Sequence, residues 1–298
     1  MSTAPSGTPP TGRARTTGWT GFWDRGGWWK AVALSAVYLA AYLGVGWVID
    51  RTAGDAIDFD DVFGDARSVF LAVALPLIIG SIVLFAFAAS VRWLPRPLFG
   101  RQPVTGRWWM WIAPVLVAIT FLLRLFGIDW ASYTGGVIAT TFLAGLFVGI
   151  AEEVLTRGIV VTLLRRQGYR EWTVAVLSSL VFALLHTTNL LSGQALVTVL
   201  TTIGFAFGFG MMMYLTLRVT GNLVWPIVLH ALTDPSTILA TGGIDVAGSN
   251  QSPLLTFAGL STIVFLVVAL IAMVVIRGNA HGRATAGEPE LHTTVPAA

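Results

Sequence analysis

The chain has 298 residues, 55% of them hydrophobic and 11% charged, with a net charge of +3 and a mean hydropathy of +0.76. A soluble domain carries about a quarter charged residues, so the composition excludes a soluble globular protein and makes lipid the main solvent. The absence of cysteine excludes disulfides, thiolate metal sites and a cysteine nucleophile. The basic residues are scattered over short connections, as membrane topology demands, which argues against a nucleic-acid partner.

Residues 1–28 are rich in Ser, Thr, Pro, Gly and Arg and lack an apolar core, so they read as a disordered cytosolic tail and not as a cleavable signal peptide. Apolar runs of spanning length then recur near 29–49, 69–91, 108–127, 135–164, 172–190, 195–217, 223–241 and 254–276. The expected fold class is all-α, a polytopic transmembrane helix bundle of about eight spans in one domain over 29–277. The fourth run exceeds one simple span and is expected to tilt or protrude. Residues 278–298, with His281 and His292, read as a second disordered cytosolic tail.

Charges between the runs alternate. Arg13, Arg15, Arg25 and Lys30 precede the first; Asp50, Asp55, Asp58, Asp60, Asp61 and Asp65 follow it. Arg92, Arg96, Arg101 and Arg107 follow the second run, Arg165, Arg166 and Arg170 the fourth, Arg218 the sixth, and Arg277 and Arg283 the eighth. The other connections are nearly free of Lys and Arg, so the positive-inside rule places both termini in the cytosol. Trp28, Trp29, Trp108, Trp109, Trp111 and Trp172 cluster near span ends as an interfacial belt would. Arg124, near the outer end of the third run, is expected to snorkel.

Several ionisable residues fall inside spans: Glu152, Glu153 and Arg157 in the fourth, His186 in the fifth, and His230 and Asp234 in the seventh. A centred Arg or Asp costs roughly 2.5–3.5 kcal/mol, so exposing the set to lipid would cost on the order of 10 kcal/mol. These groups must face one another or a wet cavity. Helical rise places Glu152 ~20 Å from Arg165, His186 ~21 Å from Trp172, and His230 and Asp234 ~12 and ~18 Å from Asn222, so three helices bring polar groups to similar depth. Glu153 and Arg157 are i,i+4 partners able to form an ion pair, whereas Glu152 is rotated by about 100° and can point elsewhere. Phe182 and His186 share a face, as do His230 and Asp234. Pro235 is expected to break the helix after Asp234. Gly145 with Gly149, and Gly204 with Gly208, have the spacing of tight helix contacts. Taken singly, His186 and His230 also fit interhelical hydrogen bonding; as a set, the intramembrane charges point to function.

Glu152, Glu153 and Arg157 form Glu-Glu-x-x-x-Arg, Phe182 and His186 form Phe-x-x-x-His, and His230 and Asp234 form His-x-x-x-Asp. In this order, each on its own span, they resemble the CPBP family, which contains the CAAX prenyl endopeptidases and the bacterial Abi, or bacteriocin-processing and immunity, proteins. The resemblance covers roughly residues 135–240.

It implies an intramembrane endopeptidase of a bacterial plasma membrane. Glu152 and His186 would activate a water, His230 and Asp234 would stabilise the oxyanion, and Glu153, Arg157 and Phe182 would give structural support. A poorly solvated carboxylate can act as a general base near neutral pH. The implied partners are membrane lipid and a hydrophobic or lipidated CAAX-like peptide, or an unprenylated target in a bacterium; oligomeric state is left open. One departure matters: prenyl endopeptidases usually carry Asn where this chain has Asp234. An ionised Asp would repel an oxyanion, so Asp234 is protonated, orients His230 or binds a cation. Glu152, His186, His230 and Asp234 are all competent ligands for Zn²⁺ or another divalent metal, and a metal-free glutamate mechanism stands as an equal alternative. Two other functions compete: a non-proteolytic immunity or scaffolding protein of the same fold, and a proton-coupled transporter, against which stands the lack of paired broken helices or a repeat.

Overall fold

A chain in hydrocarbon must satisfy its own N–H and C=O groups, which favours helices throughout. The computed structural model describes residues 17–244 and 252–280, and among these no β-strand occurs, only an isolated bridge between Arg170 and Asn279. A short helix α1 (Gly18–Asp24) precedes α2 (Trp28–Ala56), α3 (Ala66–Ser90), α4 (Trp108–Gly127), α5 (Gly135–Arg166), α6 (Glu171–Leu190), α7 (Leu196–Thr220), α8 (Val224–Thr241) and α9 (Pro253–Val275). The protein is an all-α polytopic membrane bundle.

Seven of these helices, α2–α7 and α9, are long and apolar enough to cross a membrane. The sequence count of about eight included α8, which forms but falls short in hydropathy. His230, Thr233, Asp234, Ser236 and Thr237 interrupt its apolar residues, and His230, Thr233 and Ser236 are buried against neighbouring helices.

The expected tails need correction where they are described. Residues 18–24 form α1 because aromatic packing outweighs local composition: Trp23 is buried and meets Phe87 edge-on at 4.9 Å, while the Trp93 indole donates to Asp24 at 3.0 Å. At the other end, the Gly278 carbonyl accepts from the Glu171 amide at 3.0 Å. Residues 1–16 and 281–298, with His281 and His292, lie outside the described residues.

The bundle is centred on α7, whose residues Gly208–Arg218 are all buried, as expected of a helix apolar on every side. In contrast, Ile263, Val267, Ile271 and Val274 of α9 face outward. At the end of the bundle where α5 stops and α6 starts, buried Glu171 accepts from Arg165 Nε and Nη2 at 2.9 and 2.8 Å and from Arg218 Nη1 at 3.0 Å, with the Tyr214 hydroxyl also bound. Arg165 and Arg218, which read in sequence as loop charges, are thus parts of a buried network. At the opposite end, Asp65 caps α3, and the Ser68 hydroxyl and amide hold its carboxyl below the usual carboxylate range.

The most extensive helix contact is between α5 and α8. A side chain at Gly149 would lie 2.6 Å from the Ile227 carbonyl, and one at Gly145 would meet Pro235 at 2.4 Å. The second glycine pair divides: a Cβ at Gly208 would lie 3.0 Å from the α9 backbone, whereas nothing lies within 4 Å of one at Gly204. Helix α8 also runs unbroken through Pro235. The proline leaves the Ala231 carbonyl without its helical donor, and Gly145 lets α5 close over that turn.

Gly149→Ala is expected to lower stability by about 1–3 kcal/mol through overpacking. Gly204→Ala should leave stability unchanged or raise it by up to about 1 kcal/mol through helix propensity. Thermal unfolding of the two variants in one detergent compares them directly.

Candidate active site

Three helices supply the ionisable residues singled out in the sequence, and the bundle brings them together. From α5, Glu153 is fully buried; its Oε1 accepts from Arg157 Nη1 at 3.0 Å and from His230 Nδ1 of α8 at 2.8 Å. Arg157 extends the connection: Nη1 donates to Thr156 Oγ1 at 2.6 Å, Nη2 donates to the Gly210 carbonyl of α7 at 2.8 Å, and the guanidinium lies 4.5 Å from the Phe182 ring centroid of α6. One ion pair therefore links four helices, with a cation–π contact as the tie to α6.

The bond to Glu153 fixes a proton on His230 Nδ1 and aims Nε2 the other way. There Glu152 Oε2 is 3.7 Å and Asp234 Oδ2 3.4 Å away. Phe182 and Phe209 contact the His230 ring edge-on at 5.6 and 4.9 Å. Exposure separates the roles: the Glu152 and Asp234 side chains are 22% and 34% exposed, those of Glu153 and His230 0% and 1%. Glu152 and Asp234 can meet a substrate; Glu153 and His230 Nδ1 cannot.

His186 sits where α6 tightens from α to 3₁₀ geometry over His186–Leu190. Its Nδ1–H donates to the Phe182 carbonyl at 3.2 Å and its ring meets Phe182 at 5.2 Å, which leaves Nε2 available as an acceptor. Phe182 thus packs against both imidazoles, and His186 lies within electrostatic reach of Glu152.

Regular helical spacing did not anticipate the backbone here. Val154–Val160, directly after Glu153, is π-helical, a wider turn often found at functional sites. The Thr156 hydroxyl donates to the Glu152 carbonyl at 2.5 Å beside this change of register.

The sequence reading misjudged Arg124. It does not snorkel: it is 7% exposed and lies within electrostatic reach of Asp234 on α8. Its Nη1 has no hydrogen-bond partner among the described residues. An acidic excess in the in-span set was the available signal, since Glu152, Glu153 and Asp234 outnumber Arg157. Tyr38 and Tyr42, i,i+4 neighbours on α2, were also missed and come within electrostatic reach of Glu152.

Among the described residues, no three His, Asp or Glu side chains are grouped so as to hold a metal ion. The arrangement does support acid–base chemistry: an accessible carboxylate beside a histidine whose orientation is fixed from behind.

These features define an integral membrane protein with a polar site enclosed by its helices. Residues 134–235 match the model of the family described as Type II CAAX prenyl endopeptidase Rce1-like, so over this segment the chain is similar to that family. The match holds Glu152, Glu153, Arg157, Phe182, His186, His230 and Asp234. Comparison with curated proteins and with solved structures gave no match.

Arg124→Met is expected to destabilise the protein by about 1–3 kcal/mol, less than for a fully buried pair because Asp234 is partly exposed. Adding Asp234→Asn should recover most of that loss. A double-mutant cycle on thermal unfolding in detergent reads the coupling.

Proposed function

We propose that the chain is an intramembrane endopeptidase that hydrolyses a peptide bond of a membrane-associated or lipidated, CAAX-like substrate using water activated by Glu152 and His186. The observation that carries this reading is the division between adjacent glutamates: buried Glu153 orients His230, and accessible Glu152 faces the nitrogen that this orientation presents.

Glu152 accepts a proton from water while His186 Nε2 orients it by a second hydrogen bond. The water oxygen bonds to the peptide carbonyl carbon. His230, carrying protons on both nitrogens, donates from Nε2 to the developing oxyanion, an interaction strongest in the transition state. Glu152 then returns its proton to the amide nitrogen as the C–N bond breaks, giving a carboxylic acid and an amine, and the acid loses its proton afterwards. In the resting site Asp234 accepts the hydrogen bond of His230 Nε2–H, which passes to the oxyanion as that forms, and the positive charge of Arg124 offsets the negative charge of Asp234. That role accounts for Asp in place of Asn without direct contact between Asp234 and the oxyanion. Glu153, Arg157 and Phe182 act on the reaction only through His230 and His186. No step requires a metal. By the positive-inside rule the termini face the cytosol of a bacterial plasma membrane.

The test compares new protein termini in cells expressing wild type or Glu152→Gln at matched membrane levels. Termini that depend on Glu152 are expected, with the cleavage rate falling about 10²–10⁴-fold in the variant. An unchanged set of termini, with both proteins inserted and partners expressed, would favour a non-proteolytic immunity or scaffolding protein. Uptake driven by a proton gradient and lost in Glu152→Gln would favour a transporter. In purified form, cleavage is expected to withstand a divalent-metal chelator; loss on chelation and recovery with Zn²⁺ would overturn the metal-free mechanism.

A further inference from the structure

A cavity of about 660 Å³ lies far from the candidate active site, on the face where α2 and α4 begin and α3 and α5 end. Its volume falls within the roughly 300–1,000 Å³ typical of small-molecule sites. Arg96, Arg101, Arg165 and Arg166 line it, opposed among the described residues by a single lining acid, Asp24.

The four arginines divide by their partners. Arg165 is held by Glu171 and the Gln102 amide, and Arg166 pairs with Asp24 while its guanidinium lies 4.5 Å from the Trp93 ring centroid. These two form a fixed cationic wall. Arg96 and Arg101, on the connection between α3 and α4, are exposed and have no hydrogen bond or ion pair among the described residues. Guanidinium pairs suit phosphate oxygens, which they bind in bidentate fashion.

The level of the cavity identifies the source of the phosphate. Trp28, Trp29, Trp108 and Trp111, at the starts of α2 and α4 on this face, are 51–84% exposed, and exposed tryptophans of a membrane protein mark the headgroup layer. Thr162 and Arg166 of the last turns of α5 line the cavity at the same end, with Pro97 and Pro103 adding apolar wall. Basic pockets between span ends are suited to anionic lipid headgroups.

We propose that this cavity is a binding site for the phosphate headgroup of an anionic membrane lipid, with Arg96 and Arg101 closing on the phosphate against the wall of Arg165 and Arg166. The competing account is that these arginines serve only to orient the chain in the membrane. Arg107 separates the two, because it lies on the same connection and carries the same charge but does not line the cavity.

The experiment measures lipid retained by the full-length protein in native mass spectrometry after titration with phosphatidylglycerol or phosphatidylcholine. Wild type and Arg107→Gln are expected to retain one phosphatidylglycerol in preference to phosphatidylcholine. Arg96→Gln/Arg101→Gln should bind it about tenfold or more weakly, with each single variant intermediate; both positions are exposed, so folding is not at stake. Inorganic phosphate at equal concentration should not displace the lipid. Equal retention of both lipids, an unchanged affinity in the double variant, or a matching loss in Arg107→Gln would overturn the proposal. Displacement by inorganic phosphate at comparable affinity would instead identify a free-anion site and overturn the lipid assignment.

Discussion

A carboxylate placed among spanning helices must find its counter-charge inside the protein, and the site depends on how Glu153 does so. Oxygen Oε1 of Glu153 is shared by Arg157 of its own helix and His230 of α8. Arg157 carries the constraint onward to the Gly210 carbonyl and the Phe182 ring. The position of His230 and the proton on its Nδ1 thus follow from a requirement of folding before any substrate enters. The ion pair leaves three neighbouring groups unused: His230 Nε2, Glu152 and Asp234.

The span positions were legible because two independent patterns, apolar run length and alternating loop charge, agree along the chain. The ionisable set was legible for a similar reason, since helical rise and residue type converge on one depth. What escaped depends on contacts between distant parts of the chain. Arg124 looked able to snorkel because its depth is readable from sequence, whereas its burial is not. Pro235 looked like a helix breaker because the matching gap in α5 at Gly145 lies far away in sequence. The π register after Glu153 shifts the backbone bonding pattern without leaving a mark in side-chain periodicity. Gly204 and Gly208 have identical spacing signals, and the proximity of α9 alone separates them. Helix α1 read as tail because its partners, Phe87 for its aromatics and Trp93 for Asp24, lie beyond the next helix.

Helix α5 is held by charge at two depths. At one end Arg165 joins the Glu171 network, and ~20 Å along the axis Glu153 joins Arg157 and His230. Between them lies the π-helical turn. With both ends fixed, the regular helical step of about 100° sends Glu152 toward accessible space and Glu153 into the core, just before the wider turn begins. Such preorganisation lowers the reorganisation needed when charge develops during a reaction.

The modest hydropathy of α8 has a consequence for how the protein is made. A segment carrying His230, Thr233, Asp234 and Ser236 partitions poorly into lipid by itself, and it is not among the seven helices apolar enough to cross unaided. Its entry must be coupled to partners already in place, chiefly α5 with its glycine seats and Glu153, so that polar groups pass from the insertion machinery into protein and not into acyl chains. Seating α8 and assembling the polar cluster are thereby one event, because the contacts that offset its polar side chains are the contacts that build the site.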